Sequence, residues 1–210
     1  VCFLVVLGAA VFAFSPRPVP AFPATTVSAS RLLLLGVAAA DKRAVVVGER
    51  GVIMLSDDDG RNWRVAKSPT EVTLTAVYFV DARRGFAVGH DAVILMTEDA
   101  GETWKQVHAA PDEQKPLLAV WFENAEHGIA VGAYSSFYRT IDGGKSWQAV
   151  ADFAGDLHFN ALAGGADGKV FLVGESGLIV RSDDAGRSWT TLTTPYKGSY
   201  FGILRVAETS

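Results

Sequence analysis

One eight-residue motif occurs four times along the chain, and each copy ends in tryptophan. The copies read SDDDGRNW from residue 56, TEDAGETW from residue 97, TIDGGKSW from residue 140 and SDDAGRSW from residue 182. Their final tryptophans are separated by 41, 43 and 42 residues. A fixed period of this length indicates a repeat architecture, in which each unit buries its apolar face against the next.

Two further strings repeat in the same register. A glycine follows a short apolar run in every unit, again at intervals of 41, 43 and 42 residues: Gly48, Gly89, Gly132 and Gly174. A third string opens the units, as LTAVYFV from Leu74 and LLAVWFE from Leu117, and it returns as FGILRVA from Phe201. Three strings that agree in one register exclude chance similarity.

Each unit is predicted to form four short strands. In the second unit these strands are residues 74–80, 85–88, 93–97 and 103–107, which are rich in β-branched and aromatic residues and end at Gly or Asp turns. Four strands in about 42 residues predict an all-β fold, namely a β-propeller of four-stranded antiparallel blades. Within a propeller region 30–210, the predicted blades are residues 30–70, 71–113, 114–155 and 156–197, with the first strand of a fifth in 198–210.

The first 24 residues are predicted to lie outside the propeller. Residues 1–14 carry no charge, and residues 15–24 hold four of the eight prolines. An apolar run of this length is shorter than the roughly 20 residues that span a membrane, but it suits the apolar region of a secretory signal peptide. An uncleaved N-terminal anchor is the alternative. The sequence therefore predicts an exported protein.

The composition excludes several kinds of site. There are 19 basic and 23 acidic residues, a net charge of −4, so no basic surplus points to a nucleic-acid partner. Cys2 is the single cysteine, and the four histidines are scattered, so no metal cluster and no cofactor are predicted. His108 and His127 are predicted to be solvated loop residues.

The motif is predicted to serve the fold at the turn between the third and fourth strands. Its aspartate can accept hydrogen bonds from the N–H groups of the turn, its glycine permits a positive φ, and its tryptophan can pack between sheets. These residues are Asp58, Gly60 and Trp63; Asp99, Gly101 and Trp104; Asp142, Gly144 and Trp147; and Asp184, Gly186 and Trp189. A Ca²⁺ loop at Asp57, Asp59 and Gly60 is the functional alternative, but no distal Glu is in register.

A binding surface is predicted at the opposite ends of the blades. In a blade of four consecutive antiparallel strands, the turns between the second and third strands share one end with the linkers between blades. These segments carry aromatic, basic and acidic side chains that suit recognition of a peptide, a glycan or a protein. The candidate residues are Glu49, Arg50, His90, Asp91, Tyr134, His158, Glu175, Tyr196 and Tyr200.

The repeat resembles a known family. The motif matches the Asp-box of BNR-repeat propellers, and the longer unit LTAVYFVDARRGFAVGHDAVILMTEDAGETW is similar to the photosystem II stability/assembly factor family. The resemblance covers residues 32–204 and looks closer to the bacterial branch, as in LVGESGLIVRSDDAGRSW and PYKGSYFGIL. It implies a seven-bladed full-length propeller, of which this chain is an N-terminal fragment; a closed four-bladed ring is the alternative.

The resemblance also implies a function. Members act as assembly or stability factors for a membrane protein complex, in a periplasm or a thylakoid lumen-like compartment, so we expect a non-enzymatic, exported protein that binds a protein partner and is monomeric at full length. The alternative is an Asp-box glycoside hydrolase, either sialidase-like or glucanase-like. A sialidase needs an arginine cluster, whereas the predicted inner strands 74–80 and 117–122 contain no arginine.

Overall fold

The computed structural model describes residues 31–150, 155–165 and 167–206. Its contacts divide the chain into Val1–Arg31 and Leu32–Ser210, and the strands lie in the second unit. The predicted signal peptide or anchor, residues 1–24, lies outside the described residues. In the part that is described, no helix is both long and apolar enough to cross a membrane.

Sixteen strands form four antiparallel sheets in the described residues, and the strand order in each sheet follows the chain. Blade 1 contains β1 Leu34–Ala40, β2 Arg43–Gly48, β3 Ile53–Ser56 and β4 Arg64–Val65. Blade 2 contains β5 Leu74–Phe79, β6 Gly85–Gly89, β7 Ile94–Thr97 and β8 Lys105–His108. Blade 3 contains β9 Leu117–Phe122, β10 Gly128–Gly132, β11 Phe137–Thr140 and β12 Gln148–Ala149. Blade 4 contains β13 Phe159–Gly164, β14 Val170–Gly174, β15 Ile179–Ser182 and β16 Thr190–Thr191. The predicted all-β class with four-stranded blades is confirmed.

The core lies between neighbouring blades rather than inside any one of them. Alternate residues of a strand point to opposite faces of its sheet. In β6, Ala87 packs with the residues of blade 1, whereas Phe86 and Val88 pack with those of blade 3. In β10, Ala130 joins the cluster with blade 2, and Ile129 joins the cluster with blade 4. Each sheet is therefore buried on both faces wherever it has a neighbour on each side.

The eight-residue motif closes the turn between the third and fourth strands with the same hydrogen bonds in each blade. In blade 3, the Thr140 hydroxyl donates to Asp142 Oδ1 at 2.8 Å and accepts from the Gly144 N–H at 2.9 Å. Asp142 accepts from the N–H of Ser146 at 3.0 Å and from its hydroxyl at 2.6 Å. These donors favour the charged carboxylate, and they lower the Asp142 pKa from 3.8 to about 2.

The motif also presses a glycine against the preceding blade. A Cβ atom on Gly144 would lie 2.2 Å from Phe86 Cε1, and one on Gly186 would lie 2.3 Å from Ile129 Cδ1. A Cβ atom on Gly101 would lie 3.1 Å from Leu55 Cδ2. All three glycines have φ between 81° and 88°. These positions therefore need glycine for two reasons: the backbone is left-handed, and the chain lies in close contact with the preceding sheet.

The motif tryptophan packs on the preceding blade in the same way. This explains why Trp63 is exposed, although all four motif tryptophans were predicted to pack between sheets. Trp104 and Trp147 are 8% and 7% exposed, each in a core cluster shared with the blade before it. Trp63 is 40% exposed, because no blade among the described residues precedes blade 1. Gly60 likewise meets only its own Trp63, at 3.5 Å.

Residues 201–206 form no strand, and the predicted first strand of a fifth blade, in residues 198–210, extends beyond the described residues and stays a prediction. In every sheet the first strand pairs with the second strand of the same blade, and no partner strand follows Phe201 among the described residues. Phe201, Leu204 and Val206 are more than three quarters exposed. The segment nevertheless starts where a fifth blade would start, since Asn160 Nδ2 donates to the Tyr200 carbonyl at 2.9 Å, as the Thr75 hydroxyl does to Leu117.

The buried and exposed copies of the motif tryptophan predict different losses of stability. Replacing Trp147 by Ala should lower the free energy of unfolding by about 3–5 kcal/mol, because it removes a large buried side chain from between two sheets. Trp63→Ala is the matched control and should lower it by less than half as much. Urea unfolding of both variants measures the difference, and equal losses would contradict the account.

The depressed Asp142 pKa predicts a pH dependence of folding. A carboxylate whose pKa is lower in the folded protein stabilises it above the unfolded pKa of 3.8 and loses that contribution as the pH falls toward about 2. Asp142→Asn should therefore be less stable than the parent chain at neutral pH. The difference in the free energy of unfolding between the parent and Asp142→Asn should decrease from pH 4 to pH 2. A difference that stays constant over this range would refute the role given to Asp142.

Candidate functional site

The two ends of each blade carry different segments. We call one end the linker face; it carries the linkers between blades and the turns between the second and third strands, which are residues 49–52, 90–93, 133–136 and 175–178. The opposite end carries the eight-residue motifs, and we call it the motif face. Turn and linker are joined by backbone hydrogen bonds in successive blades. The N–H groups of Ala92, Ser135 and Gly177 donate to linker carbonyls at 2.9, 2.9 and 2.7 Å.

The four turns of the linker face share an unusual backbone. Two consecutive residues in each have positive φ, between 50° and 75°: Arg50 and Gly51, Asp91 and Ala92, Tyr134 and Ser135, and Ser176 and Gly177. This is the tight hairpin turn whose twist matches that of antiparallel strands. Ala92 and Ser135 occupy a position that favours glycine. Their hydrogen bonds to the linker hold this strained geometry, and hence the side chain of Tyr134, in a fixed place.

Three of the predicted binding residues meet where blades 3 and 4 adjoin. The Tyr134 and His158 rings lie 4.7 Å apart between centroids, at 72° to each other. His158 Nδ1 lies 3.6 Å from Glu175 Oε1, and the His158 N–H donates to Glu175 Oε2 at 3.0 Å. Tyr134 is 51% exposed. The cluster therefore offers an open aromatic surface beside a carboxylate and an imidazole.

A second aromatic pair follows blade 4. The Tyr196 and Tyr200 rings lie 5.1 Å apart, and the Tyr200 hydroxyl donates to Thr194 Oγ1 at 3.2 Å. The Tyr200 N–H donates to the Gly174 carbonyl at 3.0 Å, which ties the linker to the end of β14. Tyr196 is 51% exposed. Tyr200 stands 42 residues after His158, so the aromatic and imidazole rings occupy equivalent places in successive repeats.

The remaining predicted residues lie apart from this cluster. Within the described residues, the side chains of Arg50, His90 and Asp91 contact no other member of the set, and they lie in the turns of blades 1 and 2. Glu49 has a local bond, since its Oε2 accepts from the Leu33 N–H at 3.0 Å while its own N–H donates to the Leu33 carbonyl at 3.0 Å.

Glu175 makes the same reciprocal pair with His158, and blade 3 shows why the pair serves the fold. There the residue before the first strand is Pro116, which has no N–H to donate. The residue in the position of Glu49 is Ala133, whose N–H still donates to the Pro116 carbonyl at 2.9 Å. The glutamate is thus absent from the blade whose first strand is preceded by proline; blade 2, with Thr73 and His90 in these positions, lacks it as well. In the sequence, this role was indicated by the repeat that has Pro116 before its first strand, because that repeat has Ala133 in place of the glutamate.

The motif face holds clefts as well as turns, although the sequence suggested that this end serves the fold alone. One cleft lies between blades 1 and 2, measures about 450 Å³ and is lined by Arg43, Asp57 and Glu102. Arg43 reaches Asp57 at 2.5 Å and Glu102 at 2.8 Å, and Arg64 donates to Glu102 at 2.7 Å. These guanidinium groups lower the pKa of both carboxyls. Because Asp57 faces Arg43, it is paired with an arginine rather than poised for the Ca²⁺ alternative.

One of the two histidines predicted to be solvated is not. His108 ends β8, and its ring lies 4.7 Å from that of Tyr138. Its Nε2 is buried and has no hydrogen-bond partner in the described part of the chain, and burial lowers the His108 pKa. The Tyr138 hydroxyl lies 3.3 Å from Glu113 Oε2. His127 does lie in the loop between β9 and β10, 3.3 Å from Asn124 Nδ2.

No group of three or more His, Cys, Asp or Glu side chains in the described ranges is placed to hold a metal ion. The linker face of blades 3 and 4 carries two aromatic pairs, each with one exposed ring, Tyr134 or Tyr196, and the carboxylate of Glu175. This arrangement can bind a chain by stacking and hydrogen bonding, and the aromatic area is its dominant chemical feature.

Solved structures share this fold at low sequence identity. A YCF48 bound to a D1 peptide is 18% identical, with a TM-score of 0.51, over 76% of this chain and 82% of that one. YCF48 from Cyanidioschyzon merolae is 17% identical, with a TM-score of 0.61, over 86% of this chain and 60% of that one. The GH74 xyloglucanase of Xanthomonas campestris is 21% identical, with a TM-score of 0.60, over 78% of this chain and 31% of that one.

A search among curated proteins gives no match. The model of the photosynthesis system II assembly factor YCF48 family matches residues 56–117 and 109–199, so the two overlapping matches cover more than half of the 210 residues. They include three linker-face turns and all four copies of the eight-residue motif. The chain therefore belongs to the photosynthesis system II assembly factor YCF48 family.

Proposed function

We propose that this chain is a non-enzymatic binding protein that holds a polypeptide segment of a membrane protein complex while the complex is assembled. The binding surface is the linker face of blades 3 and 4. The observation that carries the proposal is the placement of the exposed Tyr134 and Tyr196 rings, with His158, Glu175 and Tyr200 beside them, on one end of two adjacent blades.

Tyrosine is suited to this task because it offers a large, rigid contact area and a hydroxyl, and it loses little side-chain entropy on binding. Here Tyr134 stands on a turn that is bonded to a linker, and Tyr200, which contacts Tyr196, stands in a linker that is bonded to β14, so the rings are positioned before a partner arrives. Preorganisation of this kind favours affinity, because the bound geometry need not be created by the ligand. Glu175 and His158 supply polar contacts at the margin.

Family membership supports a polypeptide ligand. One solved YCF48 is bound to a D1 peptide, and we extend peptide binding as a class to this chain. We also propose that the protein is exported to a periplasm or a lumen-like compartment, with residues 1–24 as its signal peptide or anchor. Fractionation of the host, followed by N-terminal sequencing of the mature protein, tests this part separately.

A glycoside hydrolase is the competing function, since GH74 enzymes share the fold. The linker-face carboxylates speak for binding instead. Both Glu49 and Glu175 accept a backbone N–H from the residue before the first strand of their own blade, at 3.0 Å in each case. A carboxylate used as a fixed acceptor in two equivalent repeats is explained by the fold without a role in catalysis.

Co-purification and two matched variants test the proposal. The full chain should retain integral membrane proteins from a host membrane fraction, and peptides copied from their exposed segments should bind the isolated chain. Tyr134→Ala combined with Tyr196→Ala should weaken the peptide Kd at least about tenfold, because buried aromatic anchors carry most of an interface's energy. Val65→Ala, which removes another exposed apolar group from β4, should leave the Kd unchanged.

Equal peptide affinity in the double variant and the parent would contradict the linker face as the binding surface. Retention of no membrane protein would contradict the assembly role. Turnover of xyloglucan or of a chromogenic glycoside, abolished by substitution of a linker-face carboxylate, would establish the glycosidase in its place.

A further inference from the structure

Position 139 departs from the repeat in a way that the fold does not require. Strand pairing places four residues in equivalent positions of the third strand, opposite an apolar residue of the second: Leu55, Met96, Arg139 and Arg181. In blades 1 and 2 this residue is apolar and packs in the cluster between blades. Blade 3 has an arginine there, at a comparable interface with blade 4.

The Arg139 guanidinium is partly buried without a counter-ion. Its Nη2 donates to the Gly186 carbonyl in the motif of blade 4, and its Cζ lies 5.9 Å from the centre of the Phe137 ring. Among the described residues, no carboxylate lies within ion-pair distance of it. Burial and the nearby Arg187 lower the Arg139 pKa by more than the carboxylate of Asp184 raises it, so the charged form is disfavoured where it sits. An apolar residue would avoid this destabilisation.

Arg139 lines a cleft on the motif face, at the junction of blades 3 and 4. The cleft measures about 170 Å³, far more than the ~10–15 Å³ that one water needs. Trp121, Ile129 and Ala185 give it apolar walls, and Arg187 and Glu123 stand at its rim. It is therefore large enough for a small organic group and partly apolar.

The charges of the cleft select the ligand. Arg187 Nη2 lies 3.4 Å from Glu123 Oε2, so these two groups neutralise each other. His127 Nδ1 lies 3.5 Å from the same carboxylate. Asp184 attracts the Arg139 charge through space but forms no ion pair with it, so the Arg139 guanidinium can still pair with a monoanion, whereas Glu123 would repel a second negative charge. A guanidinium can hold a carboxylate by two parallel hydrogen bonds.

We propose that this cleft binds a carboxylate group, which pairs with Arg139 while its carbon skeleton lies against Trp121 and Ile129. The carboxylate belongs either to a free small acid or to the C-terminus of a polypeptide. The site lies at the opposite end of the blades from the linker face, so it is distinct from the surface of the proposed function and does not depend on it.

Calorimetric titration of the full chain with sodium propionate, against sodium chloride at equal ionic strength, tests the site. Propionate should bind saturably at millimolar concentration. Arg139→Met restores the residue that blade 2 carries in this position, so this variant should fold at least as stably as the parent and weaken propionate binding about tenfold or more. Arg181→Met is the matched control; Arg181 pairs with Asp183 at 2.8 Å, and its loss should leave binding unchanged.

Two further ligands separate the sources of the carboxylate. N-acetylalanine that binds at least about tenfold tighter than propionate, with no binding of its amide, would assign the site to a polypeptide C-terminus; equal or weaker binding would assign it to a free acid. No saturation by either acid, equal binding by parent and Arg139→Met, or tighter binding of inorganic phosphate than of propionate would overturn the proposal.

Discussion

The contact of the motif glycine with the preceding sheet, made by Gly101, Gly144 and Gly186, is the constraint on which the rest of the structure depends. Hydrogen bonds from the turn to Asp142 fix the loop, the left-handed backbone at Gly144 turns the chain, and the absence of a Cβ lets the loop reach Phe86. Trp147 then fills the remaining space between the two sheets. Repeated from blade to blade, this contact sets the spacing of the sheets.

Much of this arrangement follows from the sequence. The period of the motif predicts the blades, and the alternation in strings such as GFAVG predicts which residues face each neighbour. The exposure of Trp63 was not predictable from the motif alone, because it is set by what lies before blade 1 rather than by the residues of the motif. Residues 201–206 form no strand either, and no second strand pairs with them in the described part of the chain.

The candidate site was predictable in part. The topology places the nine candidate residues on one end of the blades, but their contacts depend on side-chain geometry. Only the structure unites Tyr134 with His158 and shows Glu49 as a local acceptor. Arg139 could have been found by comparing the four third strands, because the equivalent residue is apolar in blades 1 and 2. Both ends of the blades thus carry chemistry, with aromatic residues on the linker face and an unpaired guanidinium on the motif face.

Two glycine substitutions test the central contact most directly. Gly60 and Gly144 have nearly the same φ, 82° and 81°, so alanine strains the backbone equally at both. A Cβ on Gly144 would lie 2.2 Å from Phe86, whereas one on Gly60 meets nothing nearer than 3.5 Å. Measured by urea unfolding, Gly144→Ala should lose at least about 2 kcal/mol more than Gly60→Ala, because overpacking adds to the shared strain. Equal losses would contradict the claim that the motif holds neighbouring blades together.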